Sequence, residues 1–396
     1  MKKTLITILA IFSFIAAQAE RVDMCKAGAD ISGKKLNTVL INKTIDKLNA
    51  KGGGTLFFPA GTYLTGAIKM KSNITIELEA GATLLFSDNF DDYLPFVEMR
   101  HEGIMMNSFS PLIYAVDAEN ITIKGEGTID GQGKKWWTEF FRVMVDLKDN
   151  GVRDINKYQP MWDKANDVKK LYAETNEDYV SSMQRRFFRP PFIQPIRCKN
   201  VKIQGIKIIN SPFWTINPEF CENLLIDGVT INNPLSPNTD GINPESCRYV
   251  HISNCHISVG DDCITLKSGR DLQARNLGHP NENITITNCT MLAGHGGVVI
   301  GSEMSAGVKK VTISNCVFDG TDRGIRIKST RGRGGVVEDI QVDNIVMRNI
   351  EQEAIVMDLA YSKMPVEPLS DRTPIFRNIN ISNLTATDVL IPIRIN

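Results

Sequence analysis

A short pattern returns along this chain: a polar residue, an apolar one, a polar one, then isoleucine. It appears as Asn73-Ile74-Thr75-Ile76, Asn120-Ile121-Thr122-Ile123, Asn200-Val201-Lys202-Ile203, Asn223-Leu224-Leu225-Ile226 and Tyr249-Val250-His251-Ile252. Later copies start at Asn283, Lys310, Asp339 and Asn378, and from Asn200 onward the starts lie 23, 26, 34, 27, 29 and 39 residues apart. Alternation at period two marks β-strands. Recurrence at roughly 20–50 residues marks a solenoid, in which each turn buries its apolar face only against the next. Long helical patterns are missing between the later copies, which removes leucine-rich and helical repeats. Tight hairpins are scarce, which argues against a sandwich. The pattern predicts an all-β chain, a single-stranded right-handed parallel β-helix running from residue 20 to 396. One short helix is expected ahead of the coils, from the spacing of Val39, Leu40, Ile45 and Leu48.

Two stretches fall outside the rhythm. Residues 1–19 carry Lys2 and Lys3, an apolar run from Leu5 to Ala17 and the small-residue site Ala17-Gln18-Ala19. They read as a signal peptide, so an exported protein, periplasmic or secreted, is expected. No later run is long and apolar enough for a membrane helix. Lys134 to Pro190 carries Trp136, Trp137, Phe140, Phe141, Trp162, Tyr172 and Tyr179 among many charges, and parts of it look helical. It reads as an insertion between coils, and such insertions tend to decorate the binding face. It is expected to wall one end of a cleft. The chain stops inside a strand-like run, Ile391 to Asn396. Terminal coils normally need a polar cap, so the native chain is expected to continue past it.

Cys255, Cys289 and Cys316 fill one slot, each after an Ile-Ser-Asn or Ile-Thr-Asn triplet. They are expected to form a ladder of small buried residues rather than disulfides, with the asparagines before them stacked at a corner. Lys plus Arg and Asp plus Glu are both 45, a net charge of zero, so no global field recruits a nucleic acid. Local cations must hold any acidic ligand.

Four pieces carry chemistry: Asn238-Thr239-Asp240, Gly260-Asp261-Asp262, Gly294-His295-Gly296 and Arg326-Ile327-Lys328. They fall on four successive coils, and coils stack at about 5 Å. The pieces are therefore expected in one column, about one or two sugar rings long. Asp261 and Asp262 can both face it only if the chain turns there, which Gly260 permits. Crowded carboxylates raise one pKa and keep a proton available, as glycoside hydrolysis requires. Arg326 and Lys328, two apart on a strand, share a face and suit a sugar carboxylate.

These pieces, in this order, resemble the signature of glycoside hydrolase family 28, the polygalacturonase family. The resemblance covers roughly Cys25 to the end of the chain. It implies a pectinase-like β-helix and an inverting hydrolase of pectic polysaccharide or oligogalacturonides, with no cofactor and no metal. It implies Asp261 as general acid, Asp240 and Asp262 as holders of the attacking water, and His295 as the group that tunes the acid. Arg326, Lys328, Asn238 and a subsite tyrosine, matched here by Tyr361, are the implied substrate contacts. Inverting enzymes usually hold their carboxyls about 6.5–9.5 Å apart, wider than adjacent coils provide. Complete Arg-Ile-Lys and Gly-His-Gly pieces favour homogalacturonan over rhamnogalacturonan, and a walled cleft favours exo action. The competing readings are a calcium-dependent pectate lyase, with the aspartates as ligands, and a non-catalytic carbohydrate-binding solenoid.

Overall fold

The computed structural model describes residues 20–150, 157–175, 187–361 and 367–396. The expected signal peptide lies outside the described residues. The repeated copies are parallel strands in continuous register. Lys199–Gln204 pairs with Glu222–Asp227, then Arg248–Ser253, Asn281–Thr287, Val308–Asp319, Val336–Asp358 and Ile375–Ile395. Val201, Leu224, Val250, Ile284, Val311 and Ile340 thus form one column, all buried. The solenoid is the fold that the recurrence predicts. The helix Thr38–Ala50 lies ahead of the coils and buries Ile41, Ile45 and Leu48.

The start of each copy is a corner. Asn73, Asn120, Asn200, Asn223, Tyr249, Asn283, Lys310, Asp339 and Asn378 all have φ between 52° and 64°. Only asparagine, aspartate and glycine enter this left-handed region readily, which explains why asparagine recurs there. The corners also bond to one another: Asn120 Nδ2 donates to Asn73 Oδ1 at 2.8 Å, and Asn200 Nδ2 to Asn120 Oδ1 at 2.8 Å. A second set, Asn254, Asn288, Asn315, Asn344 and Asn383, takes the same conformation. Cys255, Cys289 and Cys316 are buried and unpaired, as expected. A second thiol column was not read from the sequence: the Cys198 amide donates to Cys221 Sγ, and the Cys221 amide to Cys247 Sγ, each at 3.4 Å.

The insertion forms the helices Lys134–Asn150, Gln159–Ala165 and Val168–Glu174. Its tryptophans pack inward. Trp136 lies 4.4 Å from Phe90 and 5.2 Å from Phe109, ring to ring. Trp162 is fully buried in a cluster with Met99, Ile104, Met106 and Phe188. Met99, Ile104 and Met106 belong to an antiparallel hairpin, Val97–His101 with Ile104–Ser108. Asn166 ties the two together, accepting from the Asn107 amide at 2.7 Å and donating to its carbonyl at 2.8 Å. Tyr179 lies outside the described residues. Among the described residues no helix is long and apolar enough to cross a membrane.

Candidate active site

The four chemical pieces meet in a cleft of about 430 Å³. The Gly241 amide donates to the Asp262 carbonyl at 3.0 Å, and Asp262 pairs with Gly296. Asp240 and Asp262 therefore stand on adjacent coils, with the Gly-His-Gly piece on the next. Asp261 sits at the corner before the strand Asp262–Leu266, and the Asp262 amide donates to its Oδ1 at 2.9 Å. Both residues line the cleft. Gly260 is required for a steric reason: a Cβ there would overlap the Ser236 carbonyl. The nearest oxygens of Asp240, Asp261 and Asp262 all lie within 4.8 Å of one another.

The cations are placed differently from the single column expected. Arg326 is in register with Val299 and Thr265, and Ile327 with Ile300 and Leu266. Arg326 and Lys328 thus lie farther along the strands than the aspartates, so the site is a two-dimensional patch. Lys328 is not open to solvent. Its side chain is buried and its Nζ lies 2.7 Å from Asp262 Oδ2. Arg326 Nη1 stands 3.9 Å from Asp262 Oδ1. The Tyr361 ring lies beside both, 5.3 Å from the Arg326 Cζ and 4.9 Å from the Lys328 Nζ. Asn238 lines the cleft with its amide already engaged. It accepts from Arg189 at 2.7 Å and donates to Asp261 Oδ2 at 3.3 Å.

His295 lies over Asp261, with Nδ1 3.2 Å from Asp261 Oδ1 and its backbone amide on the Asp261 carbonyl at 2.8 Å. Half of its side chain is open to solvent. The hydrogen bond to Asp261 raises the imidazole pKa above its ordinary value. Burial would raise Asp261, but the His295 hydrogen bond and the Lys328 charge outweigh it and hold the carboxyl at about 2. The carboxyl raised in this cluster is Asp240 rather than Asp261. Burial, reinforced by the Asp261 charge, pushes that carboxyl well up despite Lys267. Asp240 Oδ2 accepts from Asn243 Nδ2 at 3.0 Å, while its Oδ1 and the Asp262 Oδ1 have no hydrogen-bond donor among the described residues.

Several lining residues carry no motif and were missed. Lys267 is buried over the Trp214 ring, with Nζ 2.7 Å from Glu303 and 3.9 Å from Asp240. Glu303 also faces Arg333 at 3.5 Å. The hairpin tip closes this side: the Arg270 amide donates to the Gly103 carbonyl, and Arg270 Nη1 is 3.6 Å from Glu102. No described residue of 134–190 lines the cleft. Among the described residues that side is closed by the hairpin, with Trp162 of the insertion packed beneath it.

Residues 178–391, more than half of the chain, match the model of Glycosyl hydrolases family 28. The chain belongs to this family. It is a glycoside hydrolase. A probable polygalacturonase of Vitis vinifera is 29% identical over 396 residues, covering 97% of this chain and 72% of that protein. The solved exopolygalacturonase of Thermotoga maritima superposes with a TM-score of 0.80 at 36% identity, over 93% of this chain and 81% of that one. The family 28 exopolygalacturonase of Yersinia enterocolitica gives 0.73 at 26% identity, over 93% of this chain and 66% of that one.

Proposed function

We propose that this family 28 hydrolase cleaves α-1,4-galacturonosidic bonds of pectic polysaccharide from a chain end, by inverting acid–base catalysis. It is exported and acts in the periplasm or outside the cell, as its leader indicates. The observation that carries the reading is the cleft itself: three aspartates, cations for a uronate beside them, and a hairpin across one side. Galacturonan hydrolysis is what the names of the family relatives describe, and two of the solved relatives are exo-acting.

Asp261 donates the proton to the leaving oxygen. In the free site Asp240 is the carboxyl raised and Asp261 the one held at about 2, and the closely grouped carboxyl oxygens let a proton move within the triad. A uronate held at Arg326 places negative charge near Lys328 and weakens the hold of that cation on Asp261. The same anion displaces water, so Asp261 is protonated as substrate seats. The unengaged Oδ1 atoms of Asp240 and Asp262 are suited to hold the attacking water, and one of them takes its proton. No metal is needed. Two buried ammonium groups, Lys267 and Lys328, already stand beside the aspartates and oppose a divalent cation there. This weighs against the calcium-dependent lyase.

The test is digestion of polygalacturonate with product sizing, proton NMR of the first product and ultraviolet absorbance. Early monomer or dimer, an inverted anomer and no new absorbance are expected. Retention at the anomeric carbon would make a carboxylate the nucleophile, and an absorbing product would mean elimination.

A further inference from the structure

Beyond Arg326 the same face carries two more arginines. Arg326 pairs with Val356, and Val356 with Arg394. Residues in one column of a parallel stack point the same way, so Arg394 faces the cleft side two coils farther on, about 10 Å from Arg326. Arg323 precedes Arg326 on its own coil. Both new arginines are gripped by one carboxylate. Glu353 is 1% exposed and places Oε2 2.9 Å from Arg323 Nε and Oε1 2.7 Å from Arg394 Nη1. Gln352 also accepts from Arg323. Burial depresses the Arg323 pKa, and the neighbouring Arg326 charge depresses it further. Arg323, Arg326, Lys328 and Arg394 thus share two buried acids, Glu353 and Asp262. Asp322 also acts on Arg323, so the cations of this strip stand among carboxylates that hold them in place.

We infer that Arg323 and Arg394, clamped by Glu353, form a further uronate subsite on the side of the cleft away from the hairpin. It takes the carboxylate of a sugar beyond the one held at Arg326. The inference rests on the galacturonan reading above. Glu353 is a positioning residue: its carboxylate lies against both guanidinium groups.

The experiment measures kcat/KM on di-, tri- and tetragalacturonate for wild type, Arg394→Gln, Arg394→Lys and Arg323→Gln, with melting temperatures for each. Loss of a charge-assisted hydrogen bond weakens binding by about 10- to 150-fold. The loss should grow with chain length, reach about 10-fold on the trimer and tetramer, and appear in KM more than in kcat. Arg394→Lys should recover part of it. Equal losses on all three substrates, or none, overturn the subsite and leave the galacturonan reading standing. A wild type inert on every galacturonate overturns that reading and the subsite with it.

Discussion

The Asp240 carboxyl keeps its proton to higher pH in the folded chain than in the unfolded one, and that has a measurable sign. Its carboxyl is raised by burial and by the Asp261 charge. Above the ordinary carboxyl value of about 3.9 the unfolded chain loses this proton while the folded one keeps it. Folding stability therefore falls as pH rises from that value toward the raised pKa. Asp240→Asn removes the titration. Relative to wild type, its melting temperature should rise at pH 7, and the gain should shrink toward pH 4. Calorimetry at the two pH values checks this, and a variant less stable at pH 7 than at pH 4, relative to wild type, would contradict it. Turnover should collapse, because the water loses a ligand. Asp261→Asn should cost about 10²–10⁴-fold in kcat with binding largely kept, and single-turnover kinetics checks that. The motifs made Asp240, Asp261, Asp262 and His295 legible as a group. Which carboxyl is raised was not legible, because it depends on burial and on the approach of Lys267, which belongs to none of the four pieces.

At the scale of elements, the strands announced themselves because the corners demand asparagine and the columns demand aliphatics. The insertion did not, since tryptophans that pack and tryptophans that stack on sugars look alike in a sequence. The structure assigns Trp162 to packing under the hairpin. Deleting so large a buried side chain typically costs about 3–5 kcal/mol. Here the loss falls on the hairpin that closes the cleft, through Met99, Ile104 and Met106. Trp162→Ala should therefore change the product pattern before it abolishes catalysis. Early digests should shift from monomer or dimer toward a ladder of longer oligomers. An unchanged monomer release with a lowered melting temperature would detach the hairpin from exo action.

The whole molecule has no net charge, so attraction at a distance does not select a uronate polymer. Selection falls to cations that touch the sugar, and the structure separates the two that the sequence paired. Arg326 keeps a long 3.9 Å approach to Asp262 and retains donors for a ligand. Lys328 is buried against Asp262 at 2.7 Å, so removing it strands a buried carboxylate. Arg326→Ala should raise KM on polygalacturonate by about 10- to 150-fold. The loss should be smaller on methyl-esterified pectin, which lacks the target charge. Lys328→Ala should lower kcat on both substrates alike and reduce thermal stability, since it disorders the group that holds the water. Two substrates against three proteins give the readout. If Arg326→Ala loses equally on charged and esterified substrate, this cation supports the fold and recognition of the uronate lies elsewhere. If Lys328→Ala discriminates between the two, its ammonium leaves Asp262 to meet the sugar, and the pair at 2.7 Å describes only the free enzyme.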